Sequence, residues 1–122
     1  MSSEIHIKSI RPFIGSKDFK TSSDFYKTIG FEERMISPDM TLFTREGFGF
    51  YLQDAYVKDW VDNTMLLLEI AQLDEYLSHL QSLQLSERFK NVKLSNIVNN
   101  DWGREFFLHD PSGILWHIGN FK

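Results

Sequence analysis

The chain has 122 residues, no cysteine and a formal net charge of −4, and 42% of its residues are hydrophobic and 15% aromatic. That length suits one compact domain able to bury about two-thirds of its unfolded surface, and the composition is globular rather than disordered. The acidic balance leaves no basic stripe for duplex nucleic acid or an anionic membrane, and makes cationic ligands easier to accommodate. Without cysteine there are no disulfides, thiolate nucleophiles or cysteine-based zinc sites, and no window nears the roughly 20 apolar residues of a membrane span. A soluble protein of the reducing cytoplasm is the expectation.

Glu4 to Ile14 is a β-rich run broken by Pro12. Proline removes a ladder donor, so this segment reads as an edge strand, a bent strand or an arm leaving the domain. Asp18 to Ile29 places Phe19, Ser22 or Ser23, Tyr26 and Ile29 at helical spacing, with Gly30 as a stop. Three strand-like runs follow, Phe31 to Ile36, Thr41 to Arg45 and Phe48 to Gln53, separated by turns at Ser37-Pro38-Asp39 and Glu46-Gly47.

Residues 54–63 are polar with Tyr56 and Trp60 interspersed and read as a surface linker. Thr64 to Ile70 is a dense apolar run with one charge, Glu69, which suits a strand buried on both faces or facing another subunit. Leu73, Tyr76, Leu77, Leu80 and Leu83 mark an amphipathic helix over 73–83, with His79 on its exposed side. Phe89 to Val98 alternates polar and apolar residues weakly and is a candidate strand. A chemically rich hairpin closes the chain: Glu105 to Leu108, the turn Asp110-Pro111-Ser112-Gly113, then Ile114 to Ile118, with Trp102, Arg104, His109 and His117 around it.

Both halves therefore run βαβββ, an internal repeat of about 60 residues. The fold class expected is α+β: one domain over 1–122, with a first module of about 1–55, a linker of about 54–63 and a second module of about 64–122. The two βαβββ modules should form a curved mixed sheet with a concave cleft and helices outside, and ligands favour such clefts.

The ordered set Pro12-Phe-Ile-Gly-Ser-Lys-Asp18, Phe25-Tyr-Lys-Thr-Ile-Gly-Phe31, Asp62-Asn-Thr64, Trp102-Gly-Arg-Glu-Phe106 and Asp110-Pro-Ser-Gly113 followed by His117 spans nearly the whole chain. It resembles the vicinal-oxygen-chelate superfamily, which includes glyoxalase I, extradiol dioxygenases and bleomycin-resistance proteins, and within it the bleomycin binders most. In the superfamily's metal enzymes the resemblance implies four ligands, at positions that here carry Arg11, Tyr51 or its neighbour, Met65 and His117. That set does not suit a divalent ion, since one imidazole is its only ordinary ligand and a guanidinium repels the cation. His6 and His79 read as surface residues. Neither a metal nor another cofactor is expected.

Likeness to the bleomycin binders implies instead a non-enzymatic homodimer, its N-terminal strand exchanged near Pro12, that holds a planar, cationic or neutral compound in clefts at the interface. Bleomycin is the named candidate, and sequestration rather than turnover the expected activity. Trp102 would stack a flat ring, and Met35 and Met40 stand where that family has aromatic partners; Tyr51 is carried over from the metal positions. Arg104 and Glu105 should face opposite sides of their strand, one towards the cleft. His117 reads first as a satisfied interior histidine and only second as a ligand contact, and Trp116 as packing under a helix. Trp60 and Tyr56 are candidates for a second stacking wall. Glu69 should either pair with a basic group or face a wet cleft as an anchor for a ligand cation, because an isolated buried carboxylate is costly. A divalent-metal lyase, isomerase or dioxygenase with a degenerate ligand set is the alternative reading, and an interaction domain without a small ligand a third.

Overall fold

The computed structural model describes residues 4–122. In chain order its elements are β1 (Phe13–Gly15), α1 (Phe19–Thr28), β2 (Glu32–Ser37), β3 (Met40–Arg45), β4 (Phe48–Gln53), α2 (Lys58–Asp62), β5 (Met65–Glu69), α3 (Leu73–Ser82), α4 (Leu85–Arg88), β6 (Lys93–Leu94), β7 (Val98–Asn100), β8 (Gly103–His109) and β9 (Leu115–Phe121). The fold is α+β: the first half runs βαβββ, and the second repeats that plan with an added short helix, α4, and two short strands, β6 and β7, both on β8, where the first half has one. The first module carries a four-stranded sheet in the order β1-β4-β3-β2, and the second a five-stranded sheet in the order β5-β9-β8-β6, with β7 also on β8. Each is mixed: β1 lies parallel to β4 and β5 parallel to β9, while the other pairs are antiparallel. No ladder joins the two sheets among the described residues, so the curved surface expected from the sequence is made of two sheets.

Local chemistry sets the ends of α1. The Asp18 carboxylate accepts from the Thr21 amide at 3.0 Å as N-cap. Gly30 sits at φ 114°, its amide donating to Lys27 and that of Phe31 to Tyr26 at 3.2 and 3.0 Å, the bond pair of a Schellman stop. In α3 the buried residues are Leu73, Tyr76, Leu77 and Leu80, the stripe read from the sequence.

One expectation narrows and three change. The β-rich N-terminal run is a strand only at Phe13–Gly15; from Glu4 to Ile10 the chain is exposed, without a ladder partner among the described residues. The supposed linker contains α2. β5 is not buried on both faces: Leu66 and Leu68 are half-buried, whereas Met65 and Leu67 are 63% and 49% exposed. Finally, Phe89 to Val98 yields only the two-residue β6 and the start of β7, both pairing with β8.

One core serves both modules. Tyr26 of α1 meets Phe50 of β4 at 4.7 Å between ring centroids and Trp116 of β9 at 6.0 Å. Its hydroxyl accepts from Trp116 Nε1 at 2.9 Å and donates to Asp110 Oδ2 at 2.7 Å. Asp110 Oδ1 accepts three amides, those of Ser112, Gly113 and Ile114, at 2.8 to 2.9 Å. The Asp-Pro-Ser-Gly turn thus does more than reverse the chain. It docks the last hairpin onto the first helix, and the Ser112 hydroxyl adds a bond from the Lys17 amide at 2.8 Å. Burial keeps the Tyr26 phenol protonated by raising its pKa well above the ordinary value. Tyr26→Phe should therefore cost about 2 kcal/mol, because an indole N–H and a carboxylate oxygen lose their partner inside the core; urea unfolding with the midpoint compared to wild type measures it.

Candidate ligand-binding face

Side chains alternate across a sheet, so register decides what shares a face. On one side of the second sheet Trp116, Ile118, Phe106 and Leu108 are buried beneath the helices. The other side is open. There β5 presents Met65, Leu67 and Glu69, β9 presents His117, Gly119 and Phe121, and β8 presents Glu105, Phe107 and His109.

Gly119 is the centre of this face. Its register partners are Glu69 on β5 and Glu105 on β8, so a residue without a side chain lies between two carboxylates. The space above it holds the Trp102 ring: a Cβ at Gly119 would stand 3.4 Å from Trp102 Cη2. Trp102 is 38% exposed, and its ring lies 4.9 Å from that of Phe121 at an interplanar angle of 47°. The strand supporting it approaches closely because position 103 is glycine, where a Cβ would overlap the Asn120 carbonyl oxygen.

Glu105 is 8% exposed and fully engaged, accepting from Asn100 Nδ2 and meeting His117 Nδ1, each at 2.8 Å. A carboxylate only accepts, so this contact assigns the His117 proton to Nδ1 and leaves Nε2 facing Met65 Sδ at 3.5 Å. The Phe107 ring meets the imidazole edge-on at 5.1 Å. Glu69 is exposed and accepts the Phe121 amide at 3.0 Å. It is on the wet side with a free carboxylate oxygen, and its backbone partner is no substitute for a cation.

Of the residues singled out from sequence, this face brings together Trp102, Glu105, Glu69 and His117. Arg104 points the other way, as the alternation requires of one member of the pair, and holds Asp74 of α3 through two bonds of 2.8 and 2.9 Å. The guanidinium lowers the Asp74 pKa and the carboxylate raises that of Arg104, in a pair exposed to solvent. Tyr51 lies on the first sheet, its ring stacked on Phe13 at 4.9 Å and 18°. Met40 shares that face; Met35 pairs with Thr41 and is on the opposite one, so the two methionines do not form a single platform. Trp60, 73% exposed on α2, borders a recess of about 100 Å³ with Phe13, whereas Tyr56 borders a different one with Lys17.

Gly119, Asn100, Phe121 and Met65 are neighbours in this cluster that the sequence reading did not assign to a ligand site. Counting in twos from His117 points to Gly119 and Phe121, and the sequence offers Met65 only at a metal-ligand position; Asn100 gives no comparable signal, being fixed by the short β7 ladder. A divalent ion does not fit the residues present. Among the described residues no three His, Asp or Glu side chains converge, Tyr51 is stacked on Phe13, and His117 meets a carboxylate and a thioether. No helix among those residues is long and apolar enough to cross a membrane.

No protein-family model matches the sequence, nor does any curated protein. Solved structures do. A bleomycin-binding protein from Streptomyces verticillus, complexed with copper(II)-bleomycin, superposes with a TM-score of 0.79 at 18% identity, over 97% of this chain and 99% of that one. This is the vicinal-oxygen-chelate fold. TnmS3, an antibiotic binding protein from Streptomyces sp. CB03234, has it too, with a TM-score of 0.74 at 22% identity and all of both chains covered. So does a lactoylglutathione lyase from Agrobacterium tumefaciens, at 0.72 and 15%, over 93% of this chain and 94% of that one. A vicinal-oxygen-chelate fold thus carries both binding proteins and an enzyme, and the choice for this chain rests on its own side chains.

Proposed function

We propose that this chain is a non-enzymatic cytoplasmic binding protein that sequesters a planar, cationic or neutral small molecule. The observation that carries the reading is the Trp102 ring lying over Gly119 with a carboxylate on each side. A flat indole offers stacking worth about 1 kcal/mol beyond buried area, and Glu69 keeps a free oxygen for a ligand cation. Bleomycin fits both requirements, and two of the similar structures are binding proteins for antibiotics. The metal-dependent alternative has less support, because the donor set does not suit a divalent ion.

In this reading the working form is a homodimer whose N-terminal arms exchange near Pro12. Among the described residues, Ile5, Ile7 and Ile10 are 81 to 88% exposed in the arm, β5 has an unpaired edge, and Phe13, Met65 and Leu67 leave apolar surface open. Arg11 Nε is buried without an acceptor among the described residues. Burying even one such isoleucine contributes about 1.5–3 kcal/mol, which favours a second copy covering this surface. Removing the arm through Ile10 should shift the protein from dimer to monomer in sedimentation analysis; a monomeric full chain at tens of micromolar, an order of magnitude at which a stable dimer persists, removes the exchange.

The direct test of function is titration with bleomycin while tryptophan fluorescence is followed. Saturable quenching is expected, and an unchanged signal at high micromolar ligand eliminates the named antibiotic. Metal analysis of the purified protein tests the alternative: stoichiometric nickel, zinc, iron or manganese would overturn the sequestration reading.

A further inference from the structure

The open face of the second sheet changes sign along its length. Glu69 and Glu105 stand at the Trp102 end, whereas His109 lies on the same face four residues further along β8, beside Lys93 on β6. At about 3.3 Å per residue, Glu105 and His109 are roughly 13 Å apart. Lys93 and His109 border a recess of about 260 Å³ with Lys17, Asn91 and Ser112. A second cavity of about 480 Å³ shares Lys17, Asn91 and Ser112 and adds Lys90.

Lys17, Lys93 and the His109 imidazole thus line the smaller recess, and Lys90 lines the larger one beside it, in a chain of net charge −4. None of the three lysines is in an ion pair among the described residues; Lys17 Nζ has only the Tyr56 ring, 5.8 Å away. Of the carboxylates nearby, Asp110 is buried with both oxygens bonded. Asp18 borders the larger cavity, caps α1 through one oxygen and keeps its charge, which directs an anion to the smaller recess of Lys17, Lys93 and His109. Like charges at this density repel one another, and a bound anion relieves that repulsion while a concave wall concentrates the field upon it.

We propose that this recess is an anion subsite, taking a phosphate, sulfate or carboxylate group of a small molecule. Resting on the Trp102 reading above, it follows that the preferred ligand is amphoteric: an aromatic or cationic end on Trp102 and Glu69, and an anionic group about 13 Å along the same face. Bleomycin-like cations would then satisfy only one end. Asn91 and Ser112 supply neutral donors and the lysines supply charge, a combination that binds an oxyanion without requiring a particular acid.

Inorganic pyrophosphate, titrated into the full chain with backbone amide NMR shifts as readout, is the probe. Saturable shifts at Lys17, Asn91 and Ser112 are expected in the low millimolar range, an order of magnitude suited to a small solvated anion. The double variant Lys17→Gln/Lys93→Gln should weaken binding about tenfold, the scale of losing two charged partners. Absence of saturation in the wild type, or equal affinity in the double variant, overturns the subsite. Because bleomycin quenching reads the other end, loss of one binding event without the other shows which proposal has failed.

Discussion

Asp110→Ala is expected to be the most damaging single substitution away from the ligand face, costing on the order of 3–4 kcal/mol and lowering Tm by roughly 10 °C or more. The carboxylate accepts from three amides and one phenol, and alanine leaves all four donors without it. Water can enter at the turn and recover some of the amides, but the Tyr26 hydroxyl lies in the core and cannot be reached as easily. Asp110→Asn keeps one oxygen for the amides and should cost about half as much. Thermal unfolding by circular dichroism measures both, and a Tm within about 2 °C of wild type for the alanine variant would refute this account of the turn. Coupling with Tyr26→Phe should be strongly non-additive, since both substitutions empty the same bond.

The asparagine variant also isolates a pH effect. Burial raises the Asp110 pKa above its ordinary value, and the Tyr26 and backbone donors pull it only part of the way back. The folded state consequently holds this proton more tightly than the unfolded chain does. Its contribution to stability is complete below the unfolded carboxylate pKa and is lost as pH rises through the higher folded value. A carboxamide at this position does not titrate, so the advantage of wild type over Asp110→Asn should be greatest at the acid end and narrow as pH rises through that window. Urea unfolding of both proteins across the window checks the sign.

This node also shows what a sequence yields and what it withholds. The turn at 110–113 was legible because proline and glycine constrain the backbone locally, and α1 and α3 were legible because their apolar residues recur at helical spacing. The partnership of Tyr26 with Asp110 and Trp116 was not, since it joins residues 84 and 90 positions apart and no local pattern encodes it. The same limit applies to the ligand face. Trp102, Glu105 and His117 stood out by residue type, and alternation correctly split Arg104 from Glu105. Met35 and Met40 could not be separated, because the irregular register between Met35 and Ser37 shifts the alternation by one residue. Gly119 escaped notice for a simpler reason: its role is to be absent, leaving room that only the neighbouring strands reveal.

Trp102→Ala is expected to weaken binding of a planar ligand such as bleomycin by about 30-fold or more, the loss typical of truncating a central aromatic anchor. The argument runs through Gly119 as much as through the indole itself. Trp102 is supported from below by a backbone with no side chain and from one side by Phe121, so its exposed surface is held in place before ligand arrives. Gly119→Val should therefore reproduce much of the loss while leaving Trp102 in the chain, because the added atoms enter the space within 3.4 Å of Trp102 Cη2 and Glu105 Cβ. Trp102→Phe retains a smaller flat surface and should recover part of the affinity. If the valine variant folds normally but binds as tightly as wild type, the ring is not preorganised by this packing; if Trp102→Ala also binds normally, the ligand does not use this face. Calorimetric titration reads all three variants, since Trp102→Ala removes part of the fluorescence signal, with circular dichroism confirming that each is folded. Glu69→Gln separates stacking from charge: it should weaken only ligands that carry a cation, and progressively less as salt screens the exposed carboxylate.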